Sequence, residues 1–381
     1  MHGTIETNFR VELRSLSELD LFATELRDLA QRALDPNVFY EPAFVAAAAP
    51  VFGRDVIAGL VWRRGTPARL IGFFPIKIER RRYGVTLPVA VGWIHAYGPL
   101  GAPLVDRECR EAVVGAWLDH LASDPTLPKL LLMPYLPPCS TAAFEVALEL
   151  RGGRCAEYGH HVRAMLRPDS GRAGYLDVAI PHKKRKELRR QRKRLAEQGA
   201  VHFDIATAPP ALAAALDDFF AVEAKGWKGR AGTAARANDD IRRFVTAAVS
   251  NLAAEGKASV SRLTVAGRPI AAEVTLRSGN AAWGWKIAYD EDFARASPGV
   301  QILVDVTEAL LKDERITRTD SCATSDHPMI DHVWRERLAL ADRLMSVGPG
   351  RSLPFIVACT LETARRAAIS GAKRLRKLLR R

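Results

Sequence analysis

Apolar residues fall along this chain in two alternating rhythms. Short runs rich in β-branched and aromatic residues, such as VIAGLVW (56–62) and AAWGWKIAY (281–289), change places with longer stretches whose apolar residues recur at three- and four-residue steps. That alternation predicts a mixed α/β (α+β) protein rather than a bundle or a sandwich. In the first half it places helices at 15–33, 108–123 and 141–151, and strands at 56–62, 70–78, 88–94, 129–134 and 161–167. In the second half helices fall at 183–198, 209–226, 237–255, 299–313 and 329–337, and strands at 201–206, 257–265, 269–278, 281–289, 315–321 and 341–347.

The halves echo each other. GLVWRRGTPARLIGFFPIKI (59–78) reads as two strands about a Gly-Thr-Pro turn, and SRLTVAGRPIAAEVTLR (261–277) as two strands about Gly-Arg-Pro. An aromatic strand segment follows in each, WIHAYGPLG (93–101) and WGWKIAYDED (283–292), and then a helix. A duplicated module is expected, with modules at 1–170 and 171–350 and a basic amphipathic tail at 351–381. At 381 residues the chain has room for two such domains.

Charge changes the picture less than its total suggests. Of the net +13, residues 181–195 (PHKKRKELRRQRKRL) carry nine Lys/Arg against one Glu, and residues 365–381 carry eight Lys/Arg and no acid. Subtracting +8 for each leaves −3 for the rest, so the basicity belongs to two segments and not to the fold. The first is polar nearly all round, with Leu188 and Leu195 its only apolar stripe. It reads as a solvated helix whose neutralisation would leave donor binding intact, or as a platform for an acidic substrate or a phosphate-contacting surface. It lacks interleaved aromatics, so nucleic acid is not the expected partner. In the tail, Leu361, Ala364, Ala368, Ala372, Leu375 and Leu379 form a narrow apolar face suited to docking or to an anionic membrane surface.

No run approaches the eighteen apolar residues of a membrane span, and the N-terminus has no apolar signal core, so a cytoplasmic protein is expected. The five cysteines are scattered, and His95, His160 and His161 have no carboxylate or cysteine at ligand spacing, so no metal site is expected.

Chemistry concentrates at WGWKIAYDEDFARASPGVQILVDVTEALL (283–311). An apolar strand ends at Tyr289. Ser297 is a good N-cap, Pro298 suits the first helical position, and Gly299 leaves room for an anion at the positive end of the helix. A large side chain at 299 would then block the anion and spare the fold. A plain, well-capped structural helix fits the same residues. Glu273 and Lys286 lie on otherwise apolar strands, where they either pair across the strands or line a cleft. Trp227, in KGWKG (225–229), suits either a lid over substrate or a ring folded onto the core after a C-capping glycine.

Together with FFAVEAKGWKGRAGTA (219–234) and DSCATSDHPMIDHVWRERLALADRLM (320–345), this stretch resembles the acetyltransferase domain of the CelD/BcsL group. These are GNAT-superfamily proteins related to Fem-type aminoacyltransferases. In the first half FYEPAF (39–44) and GPLGAPLV (98–105) resemble the group's leading module. The resemblance implies two tandem GNAT-like modules, each a mixed, mostly antiparallel sheet flanked by helices, the first without its own cofactor site. It also implies an acyl-CoA, most simply acetyl-CoA, whose pyrophosphate meets the backbone of Ser297, Gly299, Val300 and Gln301. The family's Gln/Arg-x-x-Gly-x-Gly/Ala loop is reduced here to one glycine in RASPGV (295–300).

By the same resemblance the attacking amine belongs near Asp326-His327, with Asp326 or His327 as general base. Capping of the following helix is the other role open to Asp326. Tyr289 would protonate the leaving thiolate, or simply pack, and Trp227, Lys286 and Glu273 would contact the acceptor. The implied reaction moves an acyl group to an amine of a sugar or cell-envelope precursor. Transfer from an aminoacyl-tRNA and a non-catalytic module at a membrane surface are the alternatives.

Overall fold

The computed structural model describes residues 8–168, 171–226, 230, 232, 235–350 and 352–379, and of 373–379 the backbone only. Along the chain come β1 (Phe9–Ser15), α1 (Ala23–Gln31), α2 (Pro42–Phe52), β2 (Val56–Arg63), β3 (Arg69–Glu79), β4 (Val89–Gly92), β5 (Leu104–Val105), α3 (Arg110–Ser123), β6 (Leu130–Leu136), α4 (Pro138–Glu149) and β7 (Arg154–Leu166). There follow α5 (Tyr175–Ala179), α6 (His182–Ala196), β8 (Val201–Ala206), α7 (Pro209–Lys225), α8 (Asp239–Ala254), β9 (Ala258–Val265), β10 (Arg268–Ser278), β11 (Ala281–Tyr289), α9 (Pro298–Lys312), β12 (Arg318–Asp320), β13 (Glu336–Ser346) and α10 (Leu353–Leu379). The chain divides into two compact units: Met1–Asp35 with Asp55–His160 and Leu340–Arg381, and Pro36–Arg54 with His161–Ala339.

The strand pairing bears out the internal echo. In the first unit β1, β2, β3 and β4 pair antiparallel in sequence order, and β4 then runs parallel to β6. In the second unit β8, β9, β10 and β11 do the same, and β11 runs parallel to β12. A helix, α3 or α9, lies in the connection each time. Both units are thus mixed, mostly antiparallel sheets flanked by helices.

The first unit's main core packs α3 and α4 on the sheet. Trp117 stacks on Phe74 with centroids 5.2 Å apart. Its ring occupies the place where a Cβ on Gly59 would stand, which is why a glycine sits in mid-strand there. A second cluster holds α10, through Phe355 and Ala358, against Val89, Leu130, Leu132 and Leu344. The docked stripe therefore runs through 355, 358 and the buried Glu362, which pairs with Arg82 and Arg366. It does not run through the expected face, because Ala364 and Ala368 are exposed. Since the last of these anchors is Arg366, truncation after Ser370 should leave the melting temperature within a few degrees, and a scanning calorimeter checks this.

Several elements differ from the sequence reading. β1 falls in a stretch to which the sequence pattern assigns no element, and α2 carries apolar residues on every side, so it lacks the one-sided period that betrays a helix. The helix expected at 329–337 is a short 3₁₀ turn, Ile330–His332, followed by β13 from Glu336. There Val333 and Trp334 are both buried, and the Trp334 indole N–H donates to Thr307 Oγ1 at 2.9 Å. Tertiary packing thereby overrides a local helical spacing.

Candidate active site

The second unit's site is built at the end of β11. Its parallel ladder with β12 has three rungs, Ala281↔Arg318, Ala282↔Thr319 and Trp283↔Asp320, and stops there. From Gly284 onward β11 has no ladder partner on that side among the described residues, which leaves a splay where the pairing of the two strands ends. On the other side, register with β10 shifts between Val274 and Thr275, so that Trp285 is an inserted residue. The bulge turns two consecutive side chains, Trp285 and Lys286, onto the α7 and α8 face. Trp285 meets Phe244 there, while Lys286 lies 3.3 Å from Glu223. Bulges of this kind re-aim side chains beside functional clefts.

Past Tyr289 a 3₁₀ turn, Glu291–Ala296, leads into α9. Ser297 bridges the two in the left-handed region (φ 52°, ψ 50°). Its hydroxyl makes no capping hydrogen bond, contrary to the expected N-cap. Its carbonyl instead accepts the N–H groups of Val300 and Gln301, both at 3.0 Å. Gly299 is buried: a Cβ there would lie 2.9 Å from both Met329 Sδ and Tyr289 Cδ1. The place of the missing side chain is thus filled by a ring and a sulfur. The expectation that a bulky residue would spare the fold is corrected accordingly. Even Gly299→Ala should cost about 1–3 kcal/mol, measurable as a lower denaturant midpoint.

Gln301 is likewise buried, and its amide donates to the Leu188 carbonyl at 3.0 Å. With the Arg192–Asp305 ion pair at 2.8 Å, this sets α6 against the start of α9. The basic helix is therefore not a free solvated rod. His182, Lys183, Lys186, Arg189, Arg190 and Lys193 share one face, as the helical period requires, and none of them has an ion-pair partner among the described residues.

Other expected residues fall into place as follows. His327 Nδ1 accepts the N–H groups of Met329 and Ile330 at 3.3 and 3.4 Å. The imidazole, not Asp326, caps this turn, and in the neutral ring that puts the proton on Nε2. Asp326 is exposed with φ 57°. Thus Tyr289, Gly299 and the turn at 327–330 meet at the first turn of α9. Glu273 and Lys286 do not pair: Glu273 stands opposite Ile287 on the α9 face, whereas Lys286 faces α7. Trp227 lies outside the described residues.

The pairing of Arg163 and Asp320, both buried, was not foreseen. It ties β7 to the end of β12, and the other oxygen of Asp320 accepts the Cys322 N–H at 2.9 Å. No local spacing signals it, since 157 residues separate the partners. Gly284 likewise gave no sequence signal. Among the described residues no cluster of three or more His, Cys, Asp or Glu residues suits a metal, and no helix is long and apolar enough to cross a membrane.

Residues 182–327 match the acetyltransferase (GNAT) domain family. No curated protein matches the sequence. Among solved structures the chain is similar to FemX (TM-score 0.55, 9% identity, covering 85% of this chain and 95% of that one). It is also similar to the C-terminal domain of a putative lysylphosphatidylglycerol synthetase from Agrobacterium fabrum (TM-score 0.53, 12% identity, 92% and 97%). A Bacteroides thetaiotaomicron protein of unknown function gives TM-score 0.54 at 11% identity, with 88% and 99% covered. At such identities the likeness is one of fold. The end of the β11–β12 ladder, the bulge and the helix that follows them lie within the matched segment, so it is residues 182–327 that are similar to the acetyltransferase (GNAT) domain.

Proposed function

We propose that this protein is an acyl-CoA-dependent N-acyltransferase of the CelD/BcsL kind. It acts in the cytoplasm and moves an acetyl group to an amine of a sugar or cell-envelope precursor. The observation that carries the reading is the splay of β11 from β12 immediately before α9, inside the segment matched as an acetyltransferase domain. A thioester laid in the splay would reach the strand end, and its phosphates would meet the α9 N-terminus and the cations of α6. Val300 and Gln301 give their N–H groups to the Ser297 carbonyl, so side chains of α6 take over much of the anion binding in this reading. In this reading Tyr289 lines the thioester end of the cleft, and Asp326 borders the acceptor side. Exposed Leu353, Ile356 and Val357 on α10 favour contact with the inner membrane face.

A second reading, an aminoacyl-tRNA as donor, is favoured by the unpaired cationic face of α6, which suits a phosphodiester backbone. Glutamine at Lys183, Lys186, Arg190 and Lys193 separates the two. The first reading expects acetyl-CoA affinity to fall about three- to tenfold and no retention of unfractionated tRNA on filters at 0.15 M salt. Micromolar tRNA binding that the substitutions abolish would establish the second.

A further inference from the structure

Beneath the splay lies a carboxyl group that the second unit has gone out of its way to accommodate. Glu273 is 2% exposed, and its Oε2 has no hydrogen-bond partner. Its Oε1 lies 3.2 Å from where a Cβ on Gly284 would stand, and Trp334 closes the same spot from 3.4 Å. Gly284 is the first β11 residue beyond the last rung with β12, and it is only partly buried. Any larger residue there would press on the carboxyl and on the Trp334 ring. Two more buried hydroxyls without partners, Thr275 Oγ1 and Thr319 Oγ1, belong to the same neighbourhood: Thr275 stands opposite Gly284, and Thr319 opposite Ala282. Three orphaned oxygens around one side-chain-free position in an otherwise apolar layer are costly unless the layer receives a polar ligand there.

We propose that Glu273 is the proton acceptor for the attacking amine, meeting it at the side-chain-free position of Gly284. The inference rests on the acyl-CoA reading above. The amine nitrogen bonds to the thioester carbonyl carbon, and its proton passes to the Glu273 carboxylate. The C–S bond then breaks, its electron pair leaves on sulfur, and Glu273 returns the proton to the departing thiolate. Lys286, the nearest basic residue along β11, is turned away by the bulge and held by Glu223, so it does not neutralise the carboxylate. The groups facing Glu273 are Ser261 on β9, Gly284 and Ile287 on β11, the inward residues Leu303, Val306, Thr307 and Leu310 of α9, and Trp334. None of these titrates in the neutral range. Burial pushes the Glu273 carboxyl up to about 8, where a group can both take and return a proton near neutrality.

The test uses the full chain and acetyl-CoA as probe. Calorimetric affinity is measured from pH 7 to pH 9.5 for the wild type, Glu273→Gln and Glu273→Met. Covering the carboxyl favours its neutral form, so wild-type affinity should fall about tenfold across this range, while both variants bind with affinity constant within twofold. Thiol release with glucosamine, putrescine and glycinamide as acceptors should be about 10²–10³-fold slower in Glu273→Gln with the KM for acetyl-CoA unchanged. Binding whose pH dependence is the same in all three proteins overturns the role of Glu273 and leaves the acyl-CoA reading standing. Failure of the wild type to bind acetyl-CoA at any pH removes both.

Discussion

Replacing Asp320 by alanine should cost the protein about 3–5 kcal/mol, the largest loss expected from any single change at the site. Asp320 and Arg163 are both buried, and their pairing leaves neither charge exposed to water. Removing the carboxylate strands a guanidinium that cannot neutralise itself by losing its proton, because arginine stays charged throughout the accessible pH range. The same substitution deletes the acceptor of the Cys322 N–H, at a residue held with φ 52°. Loss of stability should therefore come with loosening of the turn toward Asp326. Chemical denaturation measures the first, and amide exchange over 321–327 the second. A double replacement, Arg163→Met with Asp320→Leu, should recover most of the loss, since the apolar pair leaves no charge behind. Little change in Asp320→Ala would mean that Arg163 reaches solvent or another acid.

The second large effect depends on pH. Glu273→Gln should leave stability nearly unchanged at pH 4.5 and raise it by roughly 2–5 kcal/mol at pH 8. The folded carboxyl titrates near 8 and an unfolded one near 4.5, so between these values the folded state keeps a proton that the unfolded chain gives up. Wild-type stability consequently falls as pH rises through this window. Glutamine has nothing to release, so the slope disappears in the variant. Urea midpoints at four or five pH values would show it, and parallel curves for the two proteins would mean that Glu273 is solvated in solution. A group kept at such a cost at neutral pH, beside the end of the β11–β12 ladder, is a candidate for function on physical grounds.

Much of this fold was legible because strands and helices here carry one-sided patterns. The strands at 201–206 and 281–289 stand where their alternation places them, and α6 to α9 begin and end within a few residues of the periodic stretches. Legibility failed where burial is two-sided, as in α2, or where a distant contact decides, as at Trp334. The site shows the same division. The start of α9 could be found from Ser-Pro-Gly, because proline and glycine have local meanings. Yet the reason for Gly299 is the Tyr289 ring and the Met329 sulfur, partners brought from 10 and 30 residues away, which no local rule reveals. Glu273 and Lys286 were noticed as charges on apolar strands. Their separation onto opposite faces follows from a single inserted residue, Trp285, and one residue in register moves a side chain through the sheet.

The central claim is that the splay of β11 and β12 and the start of α9 together hold an acyl-CoA, and titration of the full chain with acetyl-CoA in a calorimeter tests it most directly. The account predicts one-to-one binding in the micromolar range, weakened by glutamine at Lys183, Lys186, Arg190 and Lys193 and made independent of pH above 7 by Glu273→Gln. Absence of binding at millimolar acetyl-CoA, from a protein whose melting curve shows it folded, would contradict it.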